Sequence, residues 1–260
     1  MKSLAILALS AIATAAMATG QTGPTTMSIS GSSTQIASVN GGYLKNTANS
    51  KTYANQNVSS NKGGADIEGT SKQTTILTNA HVTNEAKSAG DVAIQNLASN
   101  VGDVSVEKSK HFWVKGKSEQ EVHVTNASLT NEANSSSGCY GSNCNDTAVA
   151  YQNVGSNMGE ITISGTSSQY ASITDGNTNV SNKALGRNTV AVQNISSNYG
   201  KVDISGSSSQ STSISGAASV ANLATGTNAV AYQNIASNDS CDPPPAVCVG
   251  PTCGLLASAR

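Results

Sequence analysis

Three short segments recur along this chain, and each alternates small or apolar residues with polar ones at every second position. The first puts Ala, Gln and an aliphatic in phase: Ala54/Gln56/Val58, Ala93/Gln95/Leu97, Ala150/Gln152/Val154, Ala191/Gln193/Ile195 and Ala231/Gln233/Ile235. The second runs aliphatic, aliphatic, Gly, Ser, Gln, as in Met27/Ile29/Gly31/Ser33/Gln35, Ile161/Ile163/Gly165/Ser167/Gln169 and Val202/Ile204/Gly206/Ser208/Gln210, with Gln73 in the same role. The third reads aliphatic-x-Asn-x-Ala: Leu44/Asn46/Ala48, Val82/Asn84/Ala86, Leu129/Asn131/Ala133, Val180/Asn182/Ala184 and Val220/Asn222/Ala224. Alternation at 180° per residue predicts β-strands with one buried face. Disordered chains have no reason to keep such a phase.

The Gln-Asn pairs at Gln56, Gln95, Gln152, Gln193 and Gln233 are 39, 57, 41 and 40 residues apart. Two insertions, near residues 107–118 and 135–146, account for the long step. Gly159, Gly186, Gly200 and Gly226 fall between segments, where turns call for positive φ. The expected fold is all-β, a repetitive β-solenoid or cross-β stack of repeats about 40 residues long. Stacked at about 4.8 Å, identical side chains lie one above another. Each buried amide then donates to one neighbour and accepts from the other, avoiding a cost of roughly 1–3 kcal/mol per unpaired group. The expected ladder residues are Gln56, Gln95, Gln152, Gln193, Gln233, Gln35, Gln73, Gln169, Gln210, Asn84, Asn131, Asn182 and Asn222. Thr25 to Gln35 enters the array without a helix or a charged cap. An uncapped end leaves backbone groups open to another chain, so end-to-end assembly is expected.

Composition reinforces this thin core. Only 3% of residues are aromatic and 11% charged, against about 25% charged in ordinary domains. Net charge is −1, which gives no electrostatic case for nucleic acid or anionic membranes. Met1-Lys2, the apolar run from Leu4 to Met17 and Ala16-Met17-Ala18 have the layout of a cleaved signal peptide. We therefore expect a leader over 1–18, the β-array over 19–240 and a Cys/Pro-rich tail over 241–260, with an exported product and no membrane span.

The insertion from Glu107 to Gln120 (EKSKHFWVKGKSEQ) is the most charged stretch and holds Phe112 and Trp113. That aromatic pair suits contact with a glycan or a partner, or packs as a hairpin on the solenoid flank. Its charges also suit a gatekeeping role against premature aggregation. In an exported chain disulfides are the default reading of cysteines. Cys139 and Cys144 span a short Gly-containing loop, and Cys248 and Cys253 form a second candidate pair, leaving Cys241. Pro243-Pro244-Pro245 ends the ladder. His81, His111 and His123 belong to no nucleophile or metal motif, and Asp66, Asp103 and Asp203 are isolated. No catalytic residue, metal or cofactor is expected.

The phased Gln and Asn, the N-x-A motifs at Asn182-x-Ala184 and Asn222-x-Ala224, and the Gly turns resemble curlin repeats of bacterial functional amyloids. The repeat length, the Ser-Asn-x-Gly stretches and the cysteine-bearing tail are similar to Fap-type fibre subunits of biofilms, although the tail lacks their C-x-x-C. The resemblance spans roughly Thr25 to Asn238, and a holdfast-anchoring surface protein is equally compatible. It implies export through a dedicated outer-membrane pore, nucleated self-assembly with a nucleator or anchor protein, and a role in biofilm matrix or surface attachment. The alternative is a monomeric β-solenoid adhesin or a carbohydrate- or ice-binding module. Ice binding would want regular Thr-x-Thr rows, whereas the outward positions Asp66, Thr162 and Asp203 vary.

Overall fold

The computed structural model describes residues 26–49, 52–87, 90–102, 104–106, 116–134 and 148–239. Among them the chain is all-β, a parallel β-solenoid of five coils. The first coil runs through β1 (Thr26–Ile29), β2 (Ser32–Asn40), β3 (Tyr43–Asn49), β4 (Ala54–Val58) and β5 (Asn61–Lys62). The second holds β6 (Gly64–Ile67), β7 (Thr70–Thr78), β8 (His81–Lys87), β9 (Ala93–Leu97) and β10 (Asn100–Val101). The third holds β11 (Val104–Val106), β12 (Lys117–Thr125), β13 (Ser128–Asn134), β14 (Ala150–Val154) and β15 (Asn157–Met158). The fourth holds β16 (Ile161–Ile163), β17 (Thr166–Thr174), β18 (Asn179–Leu185), β19 (Ala191–Ile195) and β20 (Asn198–Tyr199). The fifth holds β21 (Val202–Ile204), β22 (Ser207–Ile214), β23 (Ser219–Thr225), β24 (Ala231–Ile235) and β25 (Asn238–Asp239).

Each coil contributes one strand to each of five parallel sheets, which we letter A to E in chain order. Like residues face like: Gln152 lies opposite Gln95 and Gln193 in sheet D, and Asn131 opposite Asn84 and Asn182 in sheet C.

The three recurring segments thus become four strands, and the Ser-Asn stretch after the first segment supplies the fifth. The second segment is not one strand but two, folded at its glycine: Ile161 and Ile163 lie in β16, Ser167 and Gln169 in β17, and Gly165 turns the corner. Alternation keeps its phase through that corner, so periodicity alone does not reveal it. The corner is crowded. A Cβ at Gly69 would overlap the carbonyl oxygen of Gly31, one at Gly165 that of Gly116, and one at Gly206 that of Gly165. Each of those carbonyls also accepts a backbone N–H from the next coil, as in Thr70 N to Gly31 O at 2.8 Å and Ser207 N to Gly165 O at 2.9 Å.

A different corner joins sheets D and E. Ser59, Ala98, Gly155, Ser196 and Ala236 stand there with φ between 44° and 60°. In the first four coils the serine that follows caps the bend, its hydroxyl donating to the last carbonyl of the D strand, as Ser99 does to Leu97 O at 2.8 Å. This left-handed residue bends the chain so that the outer faces of D and E meet. Val101, Met158 and Tyr199 pack there against Val192, a small core outside the main lumen.

Inside, an aliphatic core fills the space between sheets B, C and D, from Leu77 and Val82 to Ile173 and Ile195. Alanines line the corner between C and D, where Ala86, Ala133 and Ala184 meet Ala93, Ala150 and Ala191. Aliphatics of sheet A form a third zone around Ile67, Val106 and Ile163.

Both insertions belong to the third coil, between β11 and β12 and between β13 and β14. Strand β12 begins at Lys117, so Lys117 to Gln120 are part of sheet B and not of the insertion, with Gln120 opposite Gln73 and Gln169.

Candidate assembly surfaces: amide columns and end coils

Sheet D carries two complete columns. Gln95 Nε2 donates to Gln56 Oε1 at 2.8 Å, Gln152 to Gln95 at 2.8 Å, Gln193 to Gln152 at 2.7 Å and Gln233 to Gln193 at 2.6 Å. The neighbouring asparagines repeat this from Asn57 through Asn96, Asn153, Asn194 and Asn234, at 2.7 to 3.0 Å. In both columns the donor sits in the later coil.

Sheets C and E run the other way. Asn46 donates to Asn84, Asn84 to Asn131, Asn131 to Asn182 and Asn182 to Asn222, at 2.7 to 2.8 Å. Asn84, Asn131, Asn182 and Asn222 also reach carbonyls of sheet D, as Asn131 does to Ala93 O and Tyr151 O at 3.1 and 2.9 Å. In sheet E, Asn61, Asn100, Asn157 and Asn198 each donate to the asparagine of the coil after, ending at Asn238, at 2.8 to 2.9 Å.

The glutamines of sheet B face inward but form a broken column. Gln120 reaches Gln73 at 3.3 Å and Gln210 reaches Gln169 at 3.0 Å. Gln35 and Gln73 donate instead to Asn61 and Asn100 of sheet E, at 2.8 and 2.7 Å. Gln120, Gln169 and Gln210 each donate to the serine two positions earlier, at 2.6, 2.7 and 2.5 Å. The expectation of a stacked B ladder is corrected accordingly. These side chains bridge the lumen as much as they stack.

Two columns escape the three-segment reading. The sheet D asparagines are buried in the middle coils because the re-entrant D–E corner covers them. The sheet E column rests on two-residue strands, too short for an alternating pattern. The constant Ser-Asn three residues after every Gln-Asn, from Ser60-Asn61 to Ser237-Asn238, is the signal that marks both. Phe112, Trp113, Cys139, Cys144, Cys248 and Cys253 lie outside the described residues, as do the leader and the tail.

On the outside, His81 stacks on Tyr43 with ring centroids 5.0 Å apart, and His123 lies 2.8 Å from Glu121. No group of three or more His, Cys, Asp or Glu among the described residues is placed to hold a metal. Glu85 sits opposite Glu132, a like-charge pair relieved by Lys45 and Lys87, whose ammonium groups lie 3.4 and 3.1 Å from Glu85. Partial burial pushes the Glu85 carboxyl up, but the bond and charge of Lys87 and the charge of Lys45 outweigh it and hold it below its ordinary value.

Each sheet ends, among the described residues, in a strand with one unpaired edge at either end of the stack. Ile173 and Ile195 are 0% exposed, whereas the matching Ile214 and Ile235 of the last coil are 42% and 38% exposed. The same core positions, with the same residue, lie open where no further coil follows among the described residues. No helix long and apolar enough to cross a membrane occurs among the described residues. Comparison with protein-family models, curated proteins and solved structures finds no match to this chain.

Proposed function

We propose that this chain is a secreted, non-catalytic structural protein that assembles end to end into extracellular amyloid-like fibres serving a biofilm matrix or surface attachment. The open core at the last described coil carries this reading: Ile214 and Ile235 stand at positions that are buried in the coil before, yet no described strand covers them. Charge placement supports it. Of the nine outward side chains of β2 and β3 only Lys45 is charged, and the outward positions of β22 and β23 carry none. Charges gather on the middle coils, at Lys72, Glu85, Glu119, Glu121 and Glu132. Like charges stacked in register repel, so the nearly neutral B and C strands of the end coils favour joining while charged flanks oppose side-by-side clumping. The aligned columns are amides and hydroxyls, groups suited to cohesion and not to proton transfer.

Purified mature chain, left quiescent at micromolar concentration, is expected to form fibres with a meridional reflection at about 4.8 Å and to be seeded by fragments of those fibres. A stable β-rich monomer that cannot be seeded would sink the proposal and leave a solenoid adhesin or binding module.

A further inference from the structure

Among the described residues nothing calls for a glycine at Gly31. At the later A–B corners Gly69, Gly165 and Gly206 a side chain would strike the carbonyl of the coil before it, yet no atom of the described residues lies within 4 Å of a Cβ built at Gly31. Its φ lies outside the left-handed region, so backbone conformation does not demand glycine either. Every corner carbonyl from Gly31 to Gly165 accepts an N–H from the following coil. The next in the series, Gly206 O, would find its match in Ser32 N of a coil laid upon it.

We infer that the first coil docks on the last coil of a second copy of this chain, head to tail, with Gly31 seated over Gly206. The inference rests on the fibre reading and specifies its joint. Columns continue in kind across it: Gln35 follows Gln210, Asn46 follows Asn222, and Ala48 follows Ala224. Amide direction agrees. Asn182 Nδ2 has three acceptors, namely Ala150 O, Val192 O and Asn222 Oδ1. Asn222 Nδ2 has the equivalents of the first two, Ala191 O and Tyr232 O, and Asn46 Oδ1 of the second copy supplies the third. A tail-to-tail joint fails on handedness. Viewed from outside, the sheets run A to E in opposite senses at the two ends, so a two-fold joint lays at most one sheet over its own copy, with strands antiparallel.

The test uses two variants of the mature chain, Gly31→Val and Ile214→Lys, each first shown to keep the wild-type circular dichroism spectrum and Tm as a monomer. Gly31→Ala replaces Gly31→Val if the larger side chain perturbs folding. Each variant alone is expected to stay monomeric by analytical ultracentrifugation. An equimolar mixture is expected to form a one-to-one dimer that grows no further, because each supplies the end the other lacks. Elongation of seeds by Gly31→Val at the wild-type rate would overturn the joint, and so would dimers of either variant alone. Wild-type chain that never assembles would overturn the fibre reading itself, a result distinct from these.

Discussion

Sheets B and D present glutamine at equivalent inward positions of all five coils, yet only sheet D builds an unbroken ladder. The difference lies in the competition for each amide. A sheet D glutamine meets no rival side-chain acceptor, so one N–H goes to the stacked glutamine and the other toward a sheet C carbonyl, as from Gln95 to Thr130 O at 3.3 Å. A sheet B glutamine has a serine two residues earlier on the same face and an asparagine across the lumen. In the first two coils the asparagine takes its proton and in the last three the serine does, and Gln120 Oε1 is left buried without a partner. Residue identity in register creates the opportunity to stack. Local competitors decide whether it is used.

The largest effect should come from cutting the unbroken ladder. Gln152→Ala strips a donor from Gln95, an acceptor from Gln193 and volume from the core, and should cost about 4 kcal/mol in urea unfolding. Equal losses at Gln152 and Gln120 would break the comparison, since Gln120→Ala removes a long bond and a group already half satisfied, at about 2 kcal/mol. Ser167→Ala takes the acceptor from Gln169 and should cost about 1 kcal/mol; a larger loss would mean the serine is more than a competitor. Acid gives the smallest effect. Neither glutamine column titrates, so the gap between Gln152→Ala and Gln120→Ala should not change with pH. The Glu85 carboxyl, held low in the fold, adds stability above the ordinary carboxylate range and loses it as pH falls through its depressed value. Glu85→Gln should therefore flatten the acid limb of a Tm-against-pH curve slightly.

Much of this fold can be read from alternation. The repeat, the inward phase of the sheet C and D amides and the glycines at Gly159, Gly186, Gly200 and Gly226, all with φ above 120°, follow from residue types recurring at fixed offsets. The D–E corner cannot be read that way. Four of its five left-handed residues are Ser59, Ala98, Ser196 and Ala236, and glycine marks only Gly155. Stacking on neighbouring coils holds those residues where free peptides seldom go, a tertiary effect that no local residue preference announces. The broken B column is hidden in part for a similar reason, because in the first two coils its rival is an asparagine on another sheet.

The opposed directions of the amide columns have an electrical consequence. Aligned amides sum like the peptide units of a helix, whose ends carry about half an elementary charge. Here two columns, both in sheet D, point their N–H bonds toward the first coil, and two, in sheets C and E, point theirs toward the last. Their moments oppose, and parallel strands add little net dipole of their own. Lengthening such a stack therefore builds up no potential difference between its tips, and a long one needs no counter-charge at either end.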